Sequence, residues 1–274
     1  MRIGVNALYL LPGGVGGTEI YLRSLLDALA RQDTSHEWFV FVNRETSGLA
    51  PTGFKEVATG VKASFRPGRL LWEQSRLLAL SRRLKIDVLL NPGFTAPLIG
   101  ACPQVTVFHD LQHLRHPEFF RDWELPFWRF FLWGAVQRSR RLIAVSEATR
   151  DDILLYYRVP SSKVAVVRHG VDERFFPLAT SWVPQPYILC ASTLHPHKNH
   201  MRLLRAFARF REEHAGYRLV LTGVKGFVSG PVFQLIEEIR ESRRSQFIRR
   251  SHNQPARCRA CGFNSVCDER IAQL

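Results

Sequence analysis

Tyr187–Phe210, YILCASTLHPHKNHMRLLRAFARF, is the stretch whose reading decides the fold. Tyr187 to Ala191 is a short apolar run that predicts a buried strand. Leu203, Leu204, Phe207, Ala208 and Phe210 then recur three and four apart, which predicts an amphipathic helix from about His200. Between them lie Ser192, Thr193, His195, His197, Lys198 and Asn199. A helix that starts at the C-terminal end of a parallel strand offers free backbone N–H groups and a partial positive charge. Lys198 adds a full charge, so the connection suits a phosphate or diphosphate; the plainer reading is a solvated strand-to-helix loop.

The same unit recurs upstream. Ile3–Leu8 reads as a strand, followed by LLPGGVGGTE with Gly13, Gly14, Gly16 and Gly17. Thr18 is the expected cap of a helix carrying Ile20, Leu22, Leu25, Leu26 and Leu29. A Gly-rich loop after the first strand lets a ligand approach the backbone, although the glycines do not spell G-x-G-x-x-G. Further strands are expected at Glu37–Asn43, Ile86–Leu90, Leu142–Val145 and Lys163–Val167. Ser146 is expected to cap a helix over Glu147–Tyr157. Val105–Phe108 delivers His109 and Asp110 to the C-terminal edge, where open α/β sheets keep their chemistry. His113 and His116 follow, without a zinc-like spacing.

Two stretches read two ways. Arg69–Lys85 is a basic amphipathic helix with Arg69, Arg76, Arg82, Arg83 and Lys85 at polar positions, suited to its own sheet or to an anionic membrane. Glu118–Arg138 carries Phe119, Phe120, Trp123, Phe127, Trp128, Phe130, Phe131 and Trp133 among arginines, either a helical core stripe or an interfacial anchor. After HGVDERFFP and a Pro-punctuated TSWVPQP linker, strand 217–222 ends at Gly223, Lys225 and Gly226, a second phosphate-facing loop, and helix 231–242 follows. Residues 243–274 show neither strand nor helix periodicity. The expected organisation is therefore α/β: a complete N-terminal Rossmann-like domain (1–178), a second domain only begun (179–242), and an Arg- and Cys-containing tail (243–274), expected to be disordered.

The chain has 274 residues, 46% of them hydrophobic, and a formal charge of +14 from 38 basic and 24 acidic residues. That composition fits globular domains and anionic partners. Cys102 and Cys190 read as buried thiols, while Cys258, Cys261 and Cys267 with His252 form an irregular set unlike a zinc site. Five cysteines and no signal-like N-terminus fit a reducing compartment. With no 18-residue apolar run, a soluble or peripheral protein is expected.

Five stretches in order resemble glycosyltransferase family 4, retaining enzymes of the GT-B fold with two Rossmann-like domains. They are GGVGGTEIYLRSLLDAL, VTVFHDLQHLRHPEFF, LIAVSEATRDDI, VVRHGVDERFFP and YILCASTLHPHKNHMRLLRAFARF. The resemblance covers roughly residues 1–240. It implies transfer of a sugar from a nucleotide diphosphate sugar to a glycan or lipid-linked acceptor, with retention. By that resemblance His109 and Asp110 line the catalytic cleft. Gly14, Gly16, Gly17, Thr193, His197, Lys198 and Gly223 contact the donor. No metal or cofactor is implied, because protein cations neutralise the departing diphosphate. Many relatives have Arg where His197 stands. They also continue into a Glu-x7-Glu motif, and no such pair follows Ala191. The sequence therefore resembles a C-terminally truncated member, inactive if so. The competing reading is a non-catalytic protein that binds an anionic glycan or lipid. A nucleic-acid role rests on charge alone, and no specific nucleic acid is assigned. A cytoplasmic location, peripheral at the inner membrane face, is the corresponding expectation.

Overall fold

The computed structural model describes residues 1–13, 16–32, 35–171, 186–223, 230–243 and 272–273. The chain divides into two units, Met1–Phe176 and Pro177–Leu274. In the first, the strands are β1 (Arg2–Asn6), β2 (Glu37–Val42), β3 (Lys55–Ala58), β4 (Val88–Asn91), β5 (Gln104–Phe108), β6 (Arg141–Ala144) and β7 (Val164–Val166). They form one sheet in the order β3-β2-β1-β4-β5-β6-β7, and every pair is parallel. The helices between them are α1 (Gly17–Gln32), α2 (Arg66–Arg83), α3 (Gln112–Arg115), α4 (Leu125–Arg138) and α5 (Glu147–Tyr157).

Helices cover both faces, and the alternation of β2 shows it. Trp38, Val40 and Val42 pack with Leu22 and Leu26 of α1. Phe39 and Phe41 pack with Leu77 of α2. Two-sided cover explains why these strands read as continuous apolar runs. A third core joins β5 and β6 to α4 and α5 through Phe108, Leu132, Val136, Leu142 and Ile153. The doubly wound α/β class expected from the sequence is the one observed.

Details differ. β3 was not foreseen: KEVA is an edge strand with mostly exposed side chains, so it lacks an apolar run. Thr18 lies inside α1, which already begins at Gly17, rather than capping it. Ser146 does cap α5, its Oγ accepting the Thr149 N–H at 3.1 Å. Cys102 and Cys190 are only half-buried.

The second unit contains β8 (Tyr187–Ala191), α6 (His200–Glu213), β9 (Arg218–Thr222), α7 (Gly230–Arg243) and β10 (Ala272–Gln273). β8 and β9 are parallel, and the two-residue β10 pairs antiparallel with β9. Leu204, Phe207, Leu219, Leu221, Val232 and Ile236 form its core. The expectation of a buried β8 is corrected: Tyr187, Ile188 and Leu189 are 39%, 37% and 50% exposed. Among the described residues β8 is the sheet's edge, with β9 its one partner. Most of the linker, Gly226 and Lys225, and His252, Cys258, Cys261 and Cys267 lie outside the described residues.

Candidate functional site

The strand order reverses direction between β1 and β4, the place where an open parallel sheet leaves a crevice beyond its strand ends. Both strands end in asparagine there. Asn6 Nδ2 donates to Asn91 Oδ1 at 3.1 Å and lies 3.3 Å from Glu73 Oε2. Glu73 comes from α2, whose buried line is Arg69, Glu73, Leu77 and Ser81. Arg69 is therefore not at a solvated position, as its place among polar residues had suggested; it is 5% exposed, and Leu71 faces solvent instead. The helix turns a mostly polar line inward because polar strand ends await it.

This network grips the loop after β4. Thr95 Oγ1 donates to Glu73 Oε2 at 3.1 Å. Gln74 donates to the Ala96 carbonyl and accepts the Leu98 N–H, at 3.2 and 2.7 Å. Gln104, held by Asn91 at 3.2 Å, donates to the Pro97 carbonyl at 2.9 Å. Burial raises the pKa of the Glu73 carboxyl, against the pull of Arg69 and the Asn6 and Thr95 donors. Burial likewise lowers that of Arg69, whose Nη1 has no hydrogen-bond partner among the described residues.

The first residue of the same loop touches His109. Its Nε2 lies 3.0 Å from the Pro92 carbonyl. A carbonyl only accepts, so Nε2 carries the proton of the neutral ring and Nδ1 is left as an acceptor. Tyr21 of α1, Phe94 and His169 surround the ring at centroid distances of 5.0, 5.2 and 5.5 Å. Burial pushes the His109 pKa below the usual imidazole value, and the neighbouring His169 pushes the same way. Asp110 is exposed, and its carboxylate accepts the Gln112 N–H at 3.2 Å, at the entry to α3. His113 is buried with Nε2 3.0 Å from the Tyr157 hydroxyl, a core contact within the first unit.

Gly16, in a left-handed conformation at φ +59°, leads into α1 at Gly17, one turn before Tyr21. Gly14 lies outside the described residues. The turn is anchored by Tyr9, whose hydroxyl donates to the Thr18 carbonyl at 3.2 Å, and by Glu19, which accepts the Gly13 N–H at 2.8 Å. Gly16, Gly17, His109 and Asp110 thus belong to one edge of one sheet.

The other four residues singled out belong to the second unit. Thr193 accepts the His195 N–H at 2.8 Å, and the His195 and His197 rings stack at 5.5 Å. Pro196–Lys198 forms a single tight turn before Asn199, which is left-handed at φ +55° and precedes α6. His200, the first residue of α6, is buried with Nε2 3.0 Å from Ser192 Oγ. Gly223 is pressed on the same loop: a Cβ there would lie 2.1 Å from the Ser192 carbonyl oxygen. Close backbone approach therefore explains this glycine locally. Within the unit, Thr193, His197, Lys198 and Gly223 occupy the exits of two adjacent parallel strands.

Sequence reasoning passed over Glu73, Gln74, Tyr21 and His169. Glu73 carried a signal, being the one acid in α2. The other three carried none, since nothing in their spacing marks them.

The model of Glycosyltransferase Family 4 matches residues 15–175. An O-antigen chain mannosyltransferase, RfbU of Salmonella typhimurium, is 26% identical over 159 residues, covering 57% of this chain and 43% of the relative. The chain thus matches less than half the length of that relative. WaaG, a glycosyltransferase of lipopolysaccharide biosynthesis, superposes with a TM-score of 0.60 at 13% identity, over 87% of this chain and 67% of that one. A UDP-GlcNAc 2-epimerase from Methanocaldococcus jannaschii superposes with a TM-score of 0.52 at 14% identity, over 87% and 68%. At such identities the likeness shows the fold, the GT-B type expected from the sequence. A transferase and an epimerase share it, so the fold alone does not choose a reaction.

Proposed function

Since the chain belongs to glycosyltransferase family 4, we propose that it serves transfer of a sugar from a nucleotide diphosphate sugar to a glycan or lipid-linked acceptor, with retention at the anomeric carbon. The observation that carries this reading is the family match over residues 15–175, inside which His109 leaves β5 at the sheet edge. The assigned roles follow the chemistry. An oxocarbenium-like transition state develops as the diphosphate departs, and fixed positive charge at the diphosphate oxygens lowers that barrier. Lys198 and the start of α6 supply such charge, with Thr193, His197 and Gly223 lining the same exits. His109, neutral and with Nδ1 free to accept a hydrogen bond, faces the transferred sugar with Asp110. Gly14, Gly16 and Gly17 give the donor room against the backbone. No metal enters the scheme. The protein works in the cytoplasm, against an anionic membrane face that holds the acceptor.

Calorimetric titration of the chain with UDP and GDP, with donor hydrolysis followed in parallel, tests this. One nucleotide should bind, and Lys198→Ala should weaken it about tenfold. His109→Ala should leave binding intact and lower any hydrolysis by about a hundredfold. Binding of anionic glycan or lipid, without affinity for either nucleotide, would replace transfer by the non-catalytic reading.

A further inference from the structure

The face of α4 that turns away from the core is aromatic. Trp123, in the turn that leads into α4, and Phe127, Phe130 and Trp133 on the helix are 65%, 63%, 53% and 53% exposed, at spacings of four, three and three. Leu132, Ala135 and Val136 on the opposite side are fully engaged in the first unit's core. The sequence admitted either a core stripe or an interfacial anchor, and burial separates them: the core needs half of this helix. A row of four exposed large aromatics is uncommon on a soluble surface and marks a contact face.

The row continues onto a second element. Arg66, at the start of α2, lies 6.0 Å from the Trp128 ring centroid and 3.7 Å from Glu124. Its neighbour Phe65 is 62% exposed. Between residues 121 and 141 the chain has five arginines (Arg121, Arg129, Arg138, Arg140 and Arg141) against Asp122 and Glu124. Glu124 is paired with Arg66 and lies 4.0 Å from Arg121. All five arginines are exposed, whereas Ser139, between Arg138 and Arg140, is buried against Thr106.

We propose that this face, with Phe65 beside it, is the surface by which the first unit seats on an anionic lipid bilayer. Aromatic rings suit the depth of the headgroups, and arginines reach the lipid phosphates from both ends of the helix. Fourteen residues span about 21 Å, a length that lies along a surface. Among the described residues no helix is long and apolar enough to cross a membrane. A second copy is the poorer occupant, because a two-fold contact opposes identical patches and sets Arg129 and its neighbours against their own kind. The proposal specifies the membrane contact put forward above, yet it does not depend on the donor site. Vesicle and nucleotide binding can fail separately.

The test is flotation of the full chain with vesicles of phosphatidylcholine alone, or with about one-third phosphatidylglycerol. The protein should float with the anionic vesicles only, and less so as salt is raised. Phe127→Ser with Phe130→Ser should lower the bound fraction at least tenfold while thermal unfolding and nucleotide binding stay unchanged. Arg121→Gln with Arg129→Gln should lower it severalfold and reduce the salt dependence. Equal flotation of the aromatic double variant would overturn the proposal. So would absence of flotation, or a lipid-free dimer that the same substitutions dissociate, which would assign the face to self-association.

Discussion

Two strands, one in each unit, lead into polar loops that carry candidate site residues, and they are covered very differently. β5 runs between two neighbours in a seven-stranded sheet, and Val107 and Phe108 are wholly buried. β8 sits at the edge of a three-stranded sheet, and half of Leu189 is exposed. VTVF and YILC are equally apolar as sequence. An apolar run thus reports what a strand is suited to, while burial is decided by which strands and helices come to lie against it. The first unit has enough of them to enclose even a carboxylate and a guanidinium. The second, in its described residues, leaves apolar strand surface uncovered.

The largest expected effect tests that enclosure. Glu73→Ala would leave Thr95 without its acceptor, Asn6 without one of its two, and Arg69 without the Glu73 counter-charge. The expected loss is about 3 kcal/mol of first-unit stability, from buried donors left unpaired. Glu73→Gln retains an acceptor oxygen and should recover part of it. Denaturant unfolding followed by Trp38 and Trp72 fluorescence measures both. Equal, small losses would mean that the network is not what secures the loop from Pro92 to Leu98.

His113 gives a pH-dependent version of the same test. Burial against Tyr157 lowers its pKa to about 4 from the usual 6.5. The unfolded ring therefore takes up a proton before the folded one can. Stability is complete above pH 6.5 and is lost as the pH falls towards 4, by about 3 kcal/mol at most. His109, shifted in the same direction, adds to the slope. Melting temperatures of His113→Gln should fall less steeply across that window than those of the parent chain. An unchanged slope would place the acid sensitivity elsewhere.

The loops of the two units differ too. Gly223 has φ +147° and its missing Cβ would overlap the Ser192 carbonyl, whereas Gly16 at φ +59° has nothing within 4 Å. Gly223→Ala should cost about 2 kcal/mol in the second unit, by strain and overlap together. Gly16→Ala should cost the first about 1 kcal/mol, from backbone conformation alone. Comparable losses would show that the second unit gives way around the Ser192 carbonyl.

Much of the scaffold could be read in advance, for local reasons. Leu22 and Leu26 at helical spacing, and Ser146 before a helix, act through neighbours close in sequence. The chemistry at the strand ends was legible in part. His109 follows a strand, and topology brings strand ends to one edge. Its partners were not legible, since Pro92, Tyr21 and His169 meet it only when three separate connections converge. α2 misled for the same reason: nothing in RPGRLLWEQSRLLALSRR says that Asn6, Asn91 and Thr95 will offer polar partners to its buried line. β8 misled in the opposite sense, an apolar strand whose cover its own residues do not supply.

The smallest effect is the sharpest check on that last point. Leu189→Ser in a buried strand would cost several kcal/mol, as large-to-small core changes do. At half exposure, on an edge strand, it should cost no more than about 0.5 kcal/mol. The same openness should appear in hydrogen exchange. Amides of β8 should exchange much faster than those of β5, since opening an edge strand severs one ladder rather than two. Near-neutral substitution with slow exchange would mean that β8 is held by more than β9. A large loss from Leu189→Ser would mean that this face is covered in solution, and the contrast between the two strands would disappear.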